Sequence, residues 1–89
     1  MIRRRIVVHG QVQGVGFRYS ARQRASSLNL AGFVRNAPNG VVEAEIEGDE
    51  VAVQQMLDWL RHGPAWATVD ALEVTECTPN DEHGFRIER

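Results

Sequence analysis

The sequence contains no lysine: all ten of its basic residues are arginines, set against twelve Asp and Glu for a net charge of -2. The absence removes any Walker-type phosphate loop, which needs a lysine, and leaves guanidinium as the strong cation for an anion site. An arginine-biased genome gives the same composition, so the bias limits a site's chemistry without requiring a site. Cysteine is nearly absent too. Cys77 stands alone, which excludes an internal disulfide and fits a structural thiol in a reducing compartment. Long apolar runs are missing: Ile6, Val7 and Val8 follow Arg3, Arg4 and Arg5 but stop at His9 and Gly10. That run is too short for a signal peptide or a membrane span, and the expectation is a cytoplasmic protein. Repeats, linkers and low-complexity stretches are also absent.

What is present is ordinary globular material, with 43% hydrophobic and 25% charged residues over 89 positions. That length predicts one domain over residues 1–89 with one modest core. Ile2 to Gln11 reads as a strand with Arg4, Ile6, Val8 and Gly10 on one face. Phe17, Ala21, Ala25 and Leu28 recur at helical spacing, predicting an amphipathic helix over 17–28, and Asn29 tolerates the left-handed conformation that ends helices.

Ala31 to Asn36 and Val41 to Gly48 flank Ala37-Pro38-Asn39-Gly40, whose Asn-Gly pair predicts a tight hairpin turn with positive φ angles. In the second strand Val42, Ala44 and Ile46 alternate with Glu43, Glu45 and Glu47, one face buried and one wet. Asp49 and Glu50 open a second helix whose apolar stripe is Val53, Met56, Leu57 and Leu60, ended by Gly63-Pro64. Val69 to Thr78 is strand-like, and Phe85 with Ile87 predicts a short closing strand. The order is βαββαβ with an added strand: a ferredoxin-like α/β sandwich, its antiparallel or mixed sheet of four to five strands carrying both helices on one face.

Gly10 to Arg18 joins the first strand to the first helix, with glycines where the backbone must turn and amides can converge on an anion. The helix start adds free N–H groups and a positive dipole end, and Arg18 adds a full charge. On local sequence alone, Gly14 and Gly16 serve equally well as turn formers and Arg18 as a solvated helix residue. Gly14-Val15-Gly16 lacks the third glycine of a dinucleotide fingerprint. Val34-Arg35-Asn36 ends the strand after the helix, and right-handed crossover topology puts Asn36 on the sheet edge that carries the glycine loop. Alone, Asn36 reads as a turn residue bonded to its own backbone.

Three histidines, His9, His62 and His83, lack metal-ligand spacing. The alternating glutamates read as a solvated strand face rather than a cation site. A binding module on the same fold, for RNA or for a phosphate-bearing ligand without turnover, is the competing reading. An RNA-binding sheet displays stacking aromatics on a basic face, whereas here Phe33 and Phe85 are the strand aromatics and the net charge is negative.

GQVQGVGFR at Gly10 to Arg18, GFVRN at Gly32 to Asn36, Asn39-Gly40-Val41-Val42-Glu43, and Gly63-Pro64 followed by Ala67 and Val69 together resemble the acylphosphatase family over nearly the whole chain. Asn29 stands where that family usually has Gly, and Phe33 where Trp is common. The resemblance implies a phosphate held by the loop amides of Gly14, Val15, Gly16, Phe17 and Arg18, gripped by the Arg18 guanidinium, with Asn36 orienting the attacking water. It implies a small-molecule acyl phosphate as substrate. The expectation is a monomer acting without metal, cofactor, nucleic acid or membrane.

Overall fold

A computed structural model describes residues 1–89. Its elements run β1 (Ile2–Gln11), α1 (Phe17–Ser27), β2 (Ala31–Asn36), β3 (Val42–Gly48), α2 (Glu50–Leu60), β4 (Thr68–Cys77) and β5 (Phe85–Glu88). The five strands form one sheet in the order β4-β1-β3-β2-β5. β3 is antiparallel to both β1 and β2, so the two strands joined through α1 run parallel with β3 inserted between them. Val8 of β1 and Asn36 of β2 both stand opposite Val42, which brings the ends of β1 and β2 to one edge. β5 adds in parallel beside β2. The mixed βαββαβ sheet and the two helices on one face are those expected from the sequence.

The helix-facing side of the sheet carries Ile6 and Val8 of β1, Val34 of β2, and Val42, Ala44 and Ile46 of β3, all buried. Phe17, Ala21 and Ala25 of α1 and Val53, Met56, Leu57 and Leu60 of α2 close over them in one cluster. Each large apolar side chain buried in this way contributes about 1.5–3 kcal/mol, so helices this short are held by packing rather than propensity. α1 ends where Asn29 enters the left-handed region at φ 58. The Leu30 N–H then donates to Ala25 O at 2.9 Å and the Asn29 N–H to Ser26 O at 3.1 Å, a Schellman closure. Leu28 is thus the cap and the helix stops one residue before the expected end. Asp49 caps α2 by accepting from the Val51 N–H at 3.1 Å.

Two further expectations need correction. The hairpin between β2 and β3 does not set both Asn39 and Gly40 at positive φ; Gly40 alone is there, at 91°. Pro38 is the reason: its fixed φ suits the second position of a four-residue turn, closed by the Gly40 N–H to Ala37 O at 3.2 Å, and the left-handed residue moves to the end. The glutamate face of β3 is free of helices but not simply wet. Glu47 is 1% exposed, because the segment between β4 and β5 folds over it and donates the Asn80 and Asp81 N–H groups at 2.9 and 3.0 Å. Glu43 and Glu45 are cross-linked to Arg5, Arg35 and Arg3.

Candidate active site

The loop leaving β1 turns through Gly14 at φ 76 and Gly16 at φ 78, a region that side-chain-bearing residues rarely occupy. Gly16 is the N-cap of α1 and has no side chain to place on the leading amides; the first turn carries no acidic residue either. The first turn therefore supplies no side-chain anion to its free N–H groups and positive dipole end. Phe17 anchors this helix start. It is 1% exposed, and its ring lies 5.8 Å from that of Trp59 at an angle of 48°. Gly63, beyond α2, passes so close that a Cβ there would stand 2.8 Å from Phe17 Cε2. Gly63 thus packs against the ring of the residue that opens α1.

A cavity of about 660 Å³ opens at this edge, lined by Gly14, Gly16, Phe17, Arg18 and Asn36 together with Val12, Tyr19, Ile87 and Arg89. The crossover topology has brought Arg18 and Asn36 to the same cavity. Arg18 takes no part in the sheet's ion pairs, which engage Arg3, Arg4, Arg5, Arg35 and Arg86. Asn36 is not a turn residue bonded to its own backbone: its Oδ1 is buried and has no hydrogen-bond partner. A buried acceptor without a protein partner costs about 1–3 kcal/mol unless water or a ligand meets it. Val15 differs from its neighbours, since its side chain packs against the core instead of lining the cavity.

Arg89 and Ile87 reach the cavity because β5 lies beside β2: Val34 pairs with Ile87 and Arg35 with Glu88, so Arg89 comes level with Asn36. Sequence reasoning assigned no function to them, because a short closing strand does not reveal which edge it joins. No histidine lines the cavity. His9 pairs with Glu73, and His62 Nδ1 lies 3.2 Å from Asp58 O. No cluster of three or more His, Cys, Asp and Glu side chains is placed to share a metal. Cys77 sits on β4, away from the cavity, and burial, aided by Glu45, pushes its thiol above the usual value, opposite to a nucleophile's requirement.

On the helix-free face, Phe33 is only 8% exposed and lies between the guanidinium groups of Arg35 and Arg86, at 5.4 and 5.6 Å from the ring centre. A covered ring offers bases no stacking platform, which disfavours the RNA-binding alternative.

The sequence and the fold have known relatives. The acylphosphatase family model matches residues 4–87. An acylphosphatase of Moorella thermoacetica is 47% identical over 87 residues, covering 98% of this chain and 94% of its own. One from Aeromonas salmonicida is 52% identical over 81 residues, covering 89% and 90%. The crystal structure of acylphosphatase from Bacillus subtilis superposes with a TM-score of 0.97 at 39% identity, covering all of both chains. The glycine loop, the arginine after it and the asparagine at the facing strand end thus sit in a chain that belongs to the acylphosphatase family.

Proposed function

We propose that residues 1–89 act as one domain, a cytoplasmic monomer, that hydrolyses acyl phosphates to a carboxylate and inorganic phosphate without a metal or cofactor. The observation that carries the assignment of roles is one cavity lined by an ion-pair-free guanidinium, Arg18, and by Asn36, whose Oδ1 has no protein partner, beside a helix start without a side-chain cap. The amides of residues 14–18 and the Arg18 guanidinium hold the phosphoryl oxygens, where negative charge concentrates as the bond to the leaving group weakens. Asn36 holds a water by its amide and aims the oxygen at phosphorus, opposite the bridging oxygen.

The water oxygen bonds to phosphorus, the bridging P–O bond breaks, and its electron pair leaves with the carboxylate. A carboxylate is stable as an anion, so the departing oxygen needs no proton from the enzyme. The attacking water must lose one. Arg18 does not titrate at ordinary pH and an asparagine amide is no base; the proton passes to a phosphoryl oxygen of the substrate. Positioning and electrostatics carry the catalysis, which fits a cavity holding no histidine or carboxylate side chain.

The test is hydrolysis of benzoyl phosphate by the purified protein in the presence of a chelator. Release of inorganic phosphate is expected. Absence of turnover overturns the assignment and leaves a phosphate-binding module.

A further inference from the structure

The two halves of the proposed site come from separate segments, the glycine loop before α1 and the end of β2. One side chain joins them. Gln13 lies in the loop between Val12 and Gly14, both of which line the cavity. Its Nε2 donates to Ala37 O at 2.8 Å and to Val41 O at 2.9 Å. These carbonyls are the two sides of the hairpin mouth: Ala37 follows Asn36 directly, and the Ala37 N–H also donates to Val41 O at 2.9 Å. Both protons of the Gln13 amide are thereby used on the point where β2 leaves the sheet and β3 enters it.

We propose that Gln13 is a positioning residue that fixes the place of Asn36 relative to the phosphate cradle, an inference that rests on the hydrolase reading above. Asn36 Oδ1 has no hydrogen bond of its own to hold it. The placement of that amide therefore depends on the backbone at 36 and 37, and the Gln13 bonds are the side-chain hydrogen bonds that tie this backbone to the loop bearing Gly14 and Gly16. In-line attack depends on the separation of water and phosphorus, so a shift of the hairpin against the loop reaches the rate directly while leaving the cradle intact. The donors matter and not merely the bulk: a carboxylate at this position would oppose two carbonyl oxygens with two further acceptors.

The experiment compares wild type, Gln13→Met, Gln13→Glu, Asn36→Ala and the double variant Gln13→Met/Asn36→Ala, using benzoyl phosphate turnover and calorimetric binding of inorganic phosphate. Gln13→Met keeps the length without the donors; circular dichroism establishes which variants fold. The expected result is a loss of kcat of about ten- to hundredfold in the folded Gln13 variants, with phosphate affinity retained. The double variant is expected to be no slower than Asn36→Ala, because placement of an amide that is gone cannot matter. Unchanged kcat, a parallel loss of phosphate affinity, an additive loss in the double variant, or failure of both Gln13 variants to fold overturns the inference. Wild-type turnover separates the two claims: an inert wild type overturns the hydrolase reading beneath it, whereas an active wild type matched by Gln13→Met overturns the placement role alone.

Discussion

Arg3 and Glu47, 44 positions apart in sequence, meet with Arg3 Nη1 2.9 Å from Glu47 Oε1, at 3% and 1% exposure. Arg3 also reaches Glu45 at 2.7 Å, Glu82 at 2.9 Å and Asn80 Oδ1 at 3.1 Å. The cluster ties the start of β1 and the end of β3 to the segment that returns the chain to β5. A buried charge is tolerated only when so many partners surround it.

The Glu47 carboxyl is held below its ordinary value of 4.5: burial pushes it upward, but the Asn80 N–H and the Arg3 guanidinium outweigh burial. A depressed native value means the ionised form stabilises the fold above the unfolded value, and that contribution disappears as pH falls through the native one. The melting temperature should therefore be insensitive to this group near neutrality and decline below pH 4.5. Glu47→Gln should flatten the acid limb of a melting-temperature profile, since the group no longer titrates, although it loses one of the two accepting oxygens. Glu47→Ala should cost about 3 kcal/mol, the low end for breaking a buried pair, because Arg3 keeps Glu45 and Glu82. An acid limb unchanged in Glu47→Gln refutes the assignment.

Gly63→Ala should damage the site from a distance. Gly63 has φ 69, and the new Cβ would stand 2.8 Å from Phe17 Cε2. The strain is about 1–3 kcal/mol, visible as a lower denaturation midpoint, and relief requires the Phe17 ring to move. Because Phe17 opens α1, that movement should also reduce kcat/KM. Loss of stability with wild-type kinetics would show that the corner supports the fold without setting the loop.

Much of this was legible in the sequence because local and global signals agreed. Period-two alternation located β3, the stripe Val53, Met56, Leu57 and Leu60 located α2's buried face, and the crossover rule put Asn36 beside the glycine loop. What stayed hidden depended on partners remote in sequence. Glu47 looks like Glu43 and Glu45 until Asn80 and Asp81 cover it, and Arg89 becomes a wall of the cavity only through the pairing of β5 with β2. The Asn-Gly turn failed for a local reason: Pro38 controls the turn ahead of it. Gln13 resembled any polar loop residue, since two carbonyls more than twenty positions away define its role.

Gly16→Ala tests whether the loop amides are held in a conformation only glycine accepts cheaply. Nothing lies within 4 Å of the added Cβ, so crowding is not the issue; φ 78 is. Placing alanine there costs about 1–2 kcal/mol or forces the loop to relax. Relaxation would turn the amides away from the anion they are proposed to hold. Titration with inorganic phosphate should show weakened binding, and full affinity would mean that the amides of this loop do not hold the anion.

Arg18 and Asn36 should fail differently, and the difference separates binding from placement. On the roles proposed above, Arg18→Ala removes a charge that would act on the phosphoryl group both bound and in the transition state, so phosphate affinity and kcat should fall together. The loss in kcat/KM should be about 10²–10³, the scale for deleting a donor aimed at developing charge. Arg18→Lys should recover only part of it, since an ammonium lacks the planar fork that meets two oxygens at once. Asn36→Ala should leave inorganic phosphate binding near wild type and lower kcat, because a water's direction matters once phosphorus is under attack. Asn36→Asp keeps the shape but sets a carboxylate beside the anion, and it should lose affinity as well as rate. Equal affinity in Asn36→Ala and Asn36→Asp would place that side chain too far from the bound phosphate to direct its water.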